Sequence, residues 1–200
     1  MKNIAVFASG RGTNFSAIIK ALKRGKIKAN LSLLVSDNPG AGAIKIAKQN
    51  GIKAVLVKRE NFTAKEAFEN EIIRHLKENK INLIVLAGFM RILSPLIVKK
   101  YKNRILNIHP ALLPSFKGAH AIKDAFSYGA KVTGVTVHFV DEQTDHGPII
   151  LQQAVSIRRN DTLESLEARI HKAEHKLYPE AIKLFVEGKV KIEGRRVIFL

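Results

Sequence analysis

Three short stretches of the sequence combine residue types that can hold developing charge or move a proton. The first is Asn107-Ile108-His109-Pro110. Residues two apart on a strand point to the same side, so the Asn107 amide and the His109 imidazole can converge on one atom while Ile108 turns into the core. An amide donor and an imidazolium suit a tetrahedral oxyanion in acyl transfer. A hydrogen-bonded core pair accounts for the same two residues. The second stretch, Thr144-Asp145-His146-Gly147-Pro148, offers a carboxylate. Brought beside His109, Asp145 favours the protonated ring and raises its pKa, as a proton donor at neutral pH requires. An aspartate in a Gly-Pro turn also bonds its own backbone, which is a purely structural role.

The third stretch, Ala8-Ser9-Gly10-Arg11-Gly12-Thr13-Asn14, follows an apolar run and precedes a segment of helical period. Glycines let the backbone approach a ligand, and free amides at a helix N-terminus favour an anion such as phosphate. A dinucleotide fingerprint competes for this stretch, with Asp37 at a suitable distance after the next strand. Its third glycine is missing, however, because Phe15 stands there. A phosphate site of mononucleotide type fits better, and a bare strand-to-helix turn is the plain alternative. Farther on, His171-Lys172-Ala173-Glu174-His175 matches an inverted zinc-protease pattern. A five-residue match is common by chance, and histidines on a polar helix face usually meet solvent, so no metal site is expected.

The elements that must position these residues follow a βαβ rhythm. Apolar runs at Ile4–Ala8, Leu31–Ser36, Ala54–Val57 and Leu83–Gly88 alternate with helical segments at Asn14–Arg24, Ala41–Asn50 and Ala64–Asn79. Continuous rather than alternating apolar runs imply strands covered on both faces. The predicted fold class is therefore α/β, a doubly wound, mostly parallel sheet with helices on both faces. Asn14 is the expected cap of the first helix. Thr63 with Glu66 reads as a capping box, and Pro95 opens a short helix. The second half predicts strands near 104–108, 133–140 and 149–156 and a helix near 119–128. A long helix over about 163–187 is capped by Asp161 or Thr162, and a glycine-turned C-terminal hairpin follows. One domain spanning 1–200 is expected, with halves at about 1–100 and 101–200.

Composition bounds the rest. The chain has 200 residues, 46% of them hydrophobic, and no cysteine, so neither a disulfide framework nor a thiol nucleophile is available. No apolar run is long enough for a membrane helix, and the N-terminal run is too short for a signal peptide, so a cytoplasmic location is expected. Thirty-four Lys and Arg against 17 Asp and Glu leave a net charge of +17. The resulting field favours anionic substrates. The basic residues are scattered, without the interleaved aromatics of a single-strand binding platform, so no nucleic-acid partner is expected.

Several ordered, separated stretches resemble one family, the folate-dependent phosphoribosylglycinamide formyltransferases. They are Ala8–Asn14, Val85-Leu86-Ala87-Gly88-Phe89-Met90-Arg91-Ile92-Leu93-Ser94, Leu106–Pro114 and Val137–Ile150. The resemblance implies that Gly12, Thr13 and Asn14 hold phosphoribosylglycinamide and that Glu174 reaches its ribose hydroxyls. It implies that Lys65, Met90, Arg91, Ile92 and Leu93, with Asn107, line a pocket for the co-substrate 10-formyltetrahydrofolate. Asn107, His109 and Asp145 look like the catalytic trio of direct formyl transfer, with no metal and no protein nucleophile. Thr13 stands where serine is usual and Lys65 where some relatives carry arginine, a change that weakens planar pairing with a carboxylate. The nearest alternatives are an initiator-tRNA formyltransferase and a formyltetrahydrofolate hydrolase. Oligomeric state is not legible in the sequence.

Overall fold

Apolar runs four to eight residues long become strands and the periodic segments between them become helices, in a computed structural model that describes residues 1–200. The chain divides into two compact units, Met1–Leu106 and Asn107–Leu200. The first holds strands β1 (Lys2–Phe7), β2 (Ala29–Ser36), β3 (Ala54–Leu56) and β4 (Leu83–Leu86), with helices α1 (Thr13–Lys23), α2 (Gly42–Gln49), α3 (Lys65–Glu78) and α4 (Pro95–Lys100). All its strand pairings are parallel: β1 with β2, β1 with β4, and β2 with β3. Ile4 to Ala8 and Leu83 to Val85 are fully buried. That burial on both faces is the physical origin of the unbroken apolar runs.

Strand β5 (Ile105–His109) straddles the division. The second unit continues with α5 (Ala121–Tyr128), β6 (Val132–Phe139), β7 (Ile149–Ser156), α6 (Leu163–Val186) and an antiparallel hairpin of β8 (Val190–Glu193) and β9 (Arg196–Phe199). β6 and β7 pair antiparallel, and α6 packs on both. Strand order in the seven-stranded sheet is β3-β2-β1-β4-β5-β6-β7. The fold is α/β with a mostly parallel sheet, and the C-terminal hairpin and its glycine turn form as expected.

Helix starts follow the sequence only in part. Ser94 caps α4 by accepting from the Leu96 amide, with Pro95 in the first turn. Thr162 caps α6 in a reciprocal box with Ser165. The expected Thr63/Glu66 box does not form, because α3 begins at Lys65 behind an extended Ala64 and Thr63 lies one residue too far upstream. Asn14 does not cap α1 either. The helix begins at Thr13, and Gly12 takes the cap position in the left-handed conformation, φ 81°, with no side-chain hydrogen bond to the helix end. No helix is long and apolar enough to cross a membrane.

Candidate functional site

In the second unit, β5 ends on the residues that matter. Asn107 and His109 lie two apart on that strand, and His109 is only 3% exposed. Asp145, from the loop joining β6 to β7, meets both: its Oδ1 accepts from Asn107 Nδ2 at 3.4 Å, and its Oδ2 lies 3.4 Å from His109 Nδ1. The same Oδ2 accepts the Gly118 amide at 2.9 Å. His109 Nε2 donates to the Phe116 carbonyl at 2.7 Å. His109 Nε2 is thus engaged with a backbone oxygen, while Nδ1 faces the Asp145 carboxylate.

A fourth member of the cluster, His138, was not singled out by the sequence. It is 2% exposed on β6, and its Nε2 lies 3.1 Å from Asn107 Nδ2 and 3.9 Å from Asp145 Oδ1. Its Nδ1 donates to the Phe139 carbonyl at 2.8 Å. Burial pushes the His138 pKa down, outweighing the Phe139 carbonyl and the Asp145 charge that raise it. The ring is thus neutral with its proton on Nδ1, and Nε2 accepts from the Asn107 amide. That assignment orients Asn107: a reversed amide would set its oxygen against a ring lone pair and a carboxylate. The β6–β7 register shifts between Val137 and His138, and such an irregularity re-aims a side chain. A lone histidine in an apolar strand was the only signal available.

The chain beyond His109 is also fixed. Buried Thr136 on β6 donates through Oγ1 to the Ala111 carbonyl at 2.7 Å and accepts the Leu113 amide at 3.0 Å. Gln152 on β7 donates to the Leu113 carbonyl at 2.9 Å. Glu174, on α6, is 4% exposed and accepts from His171 Nδ1 at 2.9 Å, which gives the histidine-rich stretch a side-chain pairing of its own.

In the first unit, the Ser9–Asn14 turn is shaped for close backbone approach. A Cβ on Gly12 would come 2.9 Å from Ala43 Cα, and its positive φ is adopted at little cost only by glycine. No side chain caps the start of α1, and a helix N-terminus favours an anion. Asp37, the residue a dinucleotide site would spend on a ribose, is committed elsewhere: it accepts from Ser9 Oγ and from Arg91 Nε, each at 2.5 Å. Ser9 Oγ in turn accepts the Met90 amide at 3.1 Å. The segment from Met90 to Leu93 is thereby anchored at one end. At the other, the carboxylate of buried Glu69 accepts the Ser94 amide at 2.7 Å and the Ser94 hydroxyl. Between these anchors Met90 and Ile92 are 68% and 67% exposed. These two large apolar side chains flank Arg91, whose guanidinium is paired with Asp37. Lys65 is exposed at the start of α3.

The formyl transferase family matches residues 2–182. The chain is 48% identical over 183 residues to the phosphoribosylglycinamide formyltransferase of Bacillus subtilis (strain 168), covering 92% of this chain and 94% of that one. It is 40% identical over 190 residues to the Escherichia coli (strain K12) protein of the same name, covering 95% and 90%. Among solved structures, glycinamide ribonucleotide transformylase 1 from Symbiobacterium toebii superposes with a TM-score of 0.98 at 42% identity, covering 100% of this chain and 94% of that one.

Proposed function

The chain belongs to the formyl transferase family and, within it, to the phosphoribosylglycinamide formyltransferases, and from that premise we propose how its residues carry the reaction. The formyl donor is 10-formyltetrahydrofolate and the acceptor is the amine of 5-phosphoribosylglycinamide, a step of de novo purine synthesis carried out in the cytoplasm. The single observation that supports the residue roles is the Asp145 carboxylate shared between His109 and Asn107.

His109, held as an imidazolium by the Asp145 carboxylate on Nδ1, presents its Nε2 proton to the oxygen that becomes anionic when the amine attacks the formyl carbon. That N–H donates to the Phe116 carbonyl at 2.7 Å, so substrate exchanges one acceptor for another. Asn107 supplies the second donor. Of its two N–H groups the one on neutral His138 is the shorter bond, and the 3.4 Å contact to Asp145 is the one given up to the oxyanion. As the new C–N bond forms, a proton passes from the attacking nitrogen to the folate nitrogen, whose bond to the formyl carbon breaks. No side chain becomes covalently attached.

Gly12, Thr13 and Asn14 take the phosphate of the acceptor, and Glu174 takes its ribose hydroxyls. Lys65, Met90, Arg91, Ile92 and Leu93, with Asn107, take the folate. The test is to offer the protein 10-formyltetrahydrofolate with phosphoribosylglycinamide, with initiator aminoacyl-tRNA, or with water alone. Formyl transfer to the glycinamide only is expected. Preferential transfer to the tRNA, or release of formate without an acceptor, overturns the assignment.

A further inference from the structure

Asp145 sits on its loop in a conformation that non-glycine residues rarely adopt, φ +47°. A backbone held there persists only where its surroundings over-determine it. The base of the loop is fixed: a Cβ on Gly147 would come 1.8 Å from the Phe139 carbonyl oxygen, and the Phe139 amide donates to the Pro148 carbonyl at 2.8 Å. Its tip carries a second set of ties. Asp141 Oδ1 accepts the Gln143 amide at 3.0 Å, and Asp141 Oδ2 accepts from His146 Nδ1 at 2.7 Å, closing the loop across Asp145.

The remaining tie comes from a distant part of the chain. Arg195, on the turn between β8 and β9, donates through one terminal nitrogen to the His146 carbonyl. Its other terminal nitrogen lies 3.2 Å from His146 Nδ1 and 3.3 Å from Nε2. The guanidinium thus meets both the backbone and the ring of His146, a two-point engagement that its planar fork permits and an ammonium does not. The bonded carbonyl belongs to the residue directly after Asp145. The family match ends at residue 182, before this hairpin begins.

We propose that Arg195 is a positioning residue for the reaction, a latch by which the C-terminal hairpin fixes the His146 carbonyl, next along the chain from Asp145, and so holds the carboxylate against His109. The proposal rests on the catalytic reading of Asp145. The loop's other ties are local or reach the Asp145 carboxylate itself, and loss of Arg195 removes the one that holds the His146 carbonyl from a distant part of the chain.

The experiment compares the whole enzyme with Arg195→Ala and Arg195→Lys by amide hydrogen exchange and by steady-state kinetics. In Arg195→Ala, exchange at 141–147 should quicken about fivefold or more while α6 keeps its protection. Turnover should fall about tenfold with both KM values within about twofold of wild type, and guanidinium ion at roughly 20 mM should restore part of it. Arg195→Lys should lie between, since it keeps a donor for the carbonyl and loses the second contact of the planar fork; it also serves if the alanine variant does not fold. Unchanged loop exchange, or unchanged turnover despite faster loop exchange, overturns the proposal. So does a general loss of protection across β6, β7 and α6, which marks a merely structural role. Asp145→Asn assayed alongside separates the two readings: if that variant is also active, the catalytic assignment has failed rather than the latch.

Discussion

Asp145→Asn changes one oxygen to nitrogen and leaves the volume of the side chain unaltered. The amide oxygen can still accept the Gly118 amide, which the carboxylate accepts at 2.9 Å, so the loop should keep its place. What disappears is the negative charge 3.4 Å from His109 Nδ1. At an effective dielectric constant of about 20, two unit charges at that separation attract by about 5 kcal/mol. Solvent reaches the pair only slightly, because the two side chains are 4% and 11% exposed. If most of that attraction serves to keep the imidazolium available to the oxyanion, the barrier rises by about 4 kcal/mol, or roughly a thousandfold in turnover at 1.4 kcal/mol per decade. The assay is formyl transfer to phosphoribosylglycinamide at saturating concentrations of both substrates, with thermal unfolding measured in parallel. KM values should stay within a few-fold of wild type, since the charge acts on the reacting oxygen rather than on ground-state binding. Turnover within tenfold of wild type, in a variant with an unchanged melting temperature, would show that the carboxylate does not maintain the acid and refute the reasoning.

His138→Gln replaces a titrating acceptor with one that does not titrate but can still receive the Asn107 amide. Burial depresses the His138 pKa in the folded chain below its ordinary 6.5, so the unfolded chain takes up the proton first. The folded state's advantage from a neutral ring is complete above that value and is lost as pH falls below it toward the folded value. Urea unfolding at about pH 7.5 and about pH 5 should therefore show a smaller acid loss of stability in the variant than in wild type, and equal losses count against the assignment. Gly12→Ala sets a methyl group 2.9 Å from Ala43 Cα at a left-handed position. It should cost about 1–3 kcal/mol of stability and raise KM for the phosphorylated substrate about tenfold, leaving KM for the folate unchanged. A variant with wild-type stability and KM removes the phosphate-loop argument.

The strand-and-helix rhythm of residues 1–100 was legible because burial on both faces writes itself as continuous apolar runs, and helices write theirs as a 3.6-residue period. The frame of β5 was legible too, and it set Asn107 and His109 two apart on one strand. Helix starts were read less well, at Thr63 and Asn14, because a one-residue change in where a helix begins changes which side chain can reach its first amides. Asp37 sat at a plausible spacing for a ribose contact, yet its partners, Ser9 and Arg91, are 28 and 54 residues away. Local spacing cannot tell a committed carboxylate from an available one.

Residue types, their periodicity and their short-range spacing fixed the architecture and nominated the chemistry, since those depend on each side chain's own solubility and on backbone geometry over a few residues. Tertiary structure alone brought Asp145 to Asn107 across 38 residues, turned His138 inward at a shift in the β6–β7 register, and brought Arg195 to His146 across 49. Such meetings depend on strand register and loop closure, which are settled by the packing of the whole unit and leave no mark on neighbouring letters of the chain.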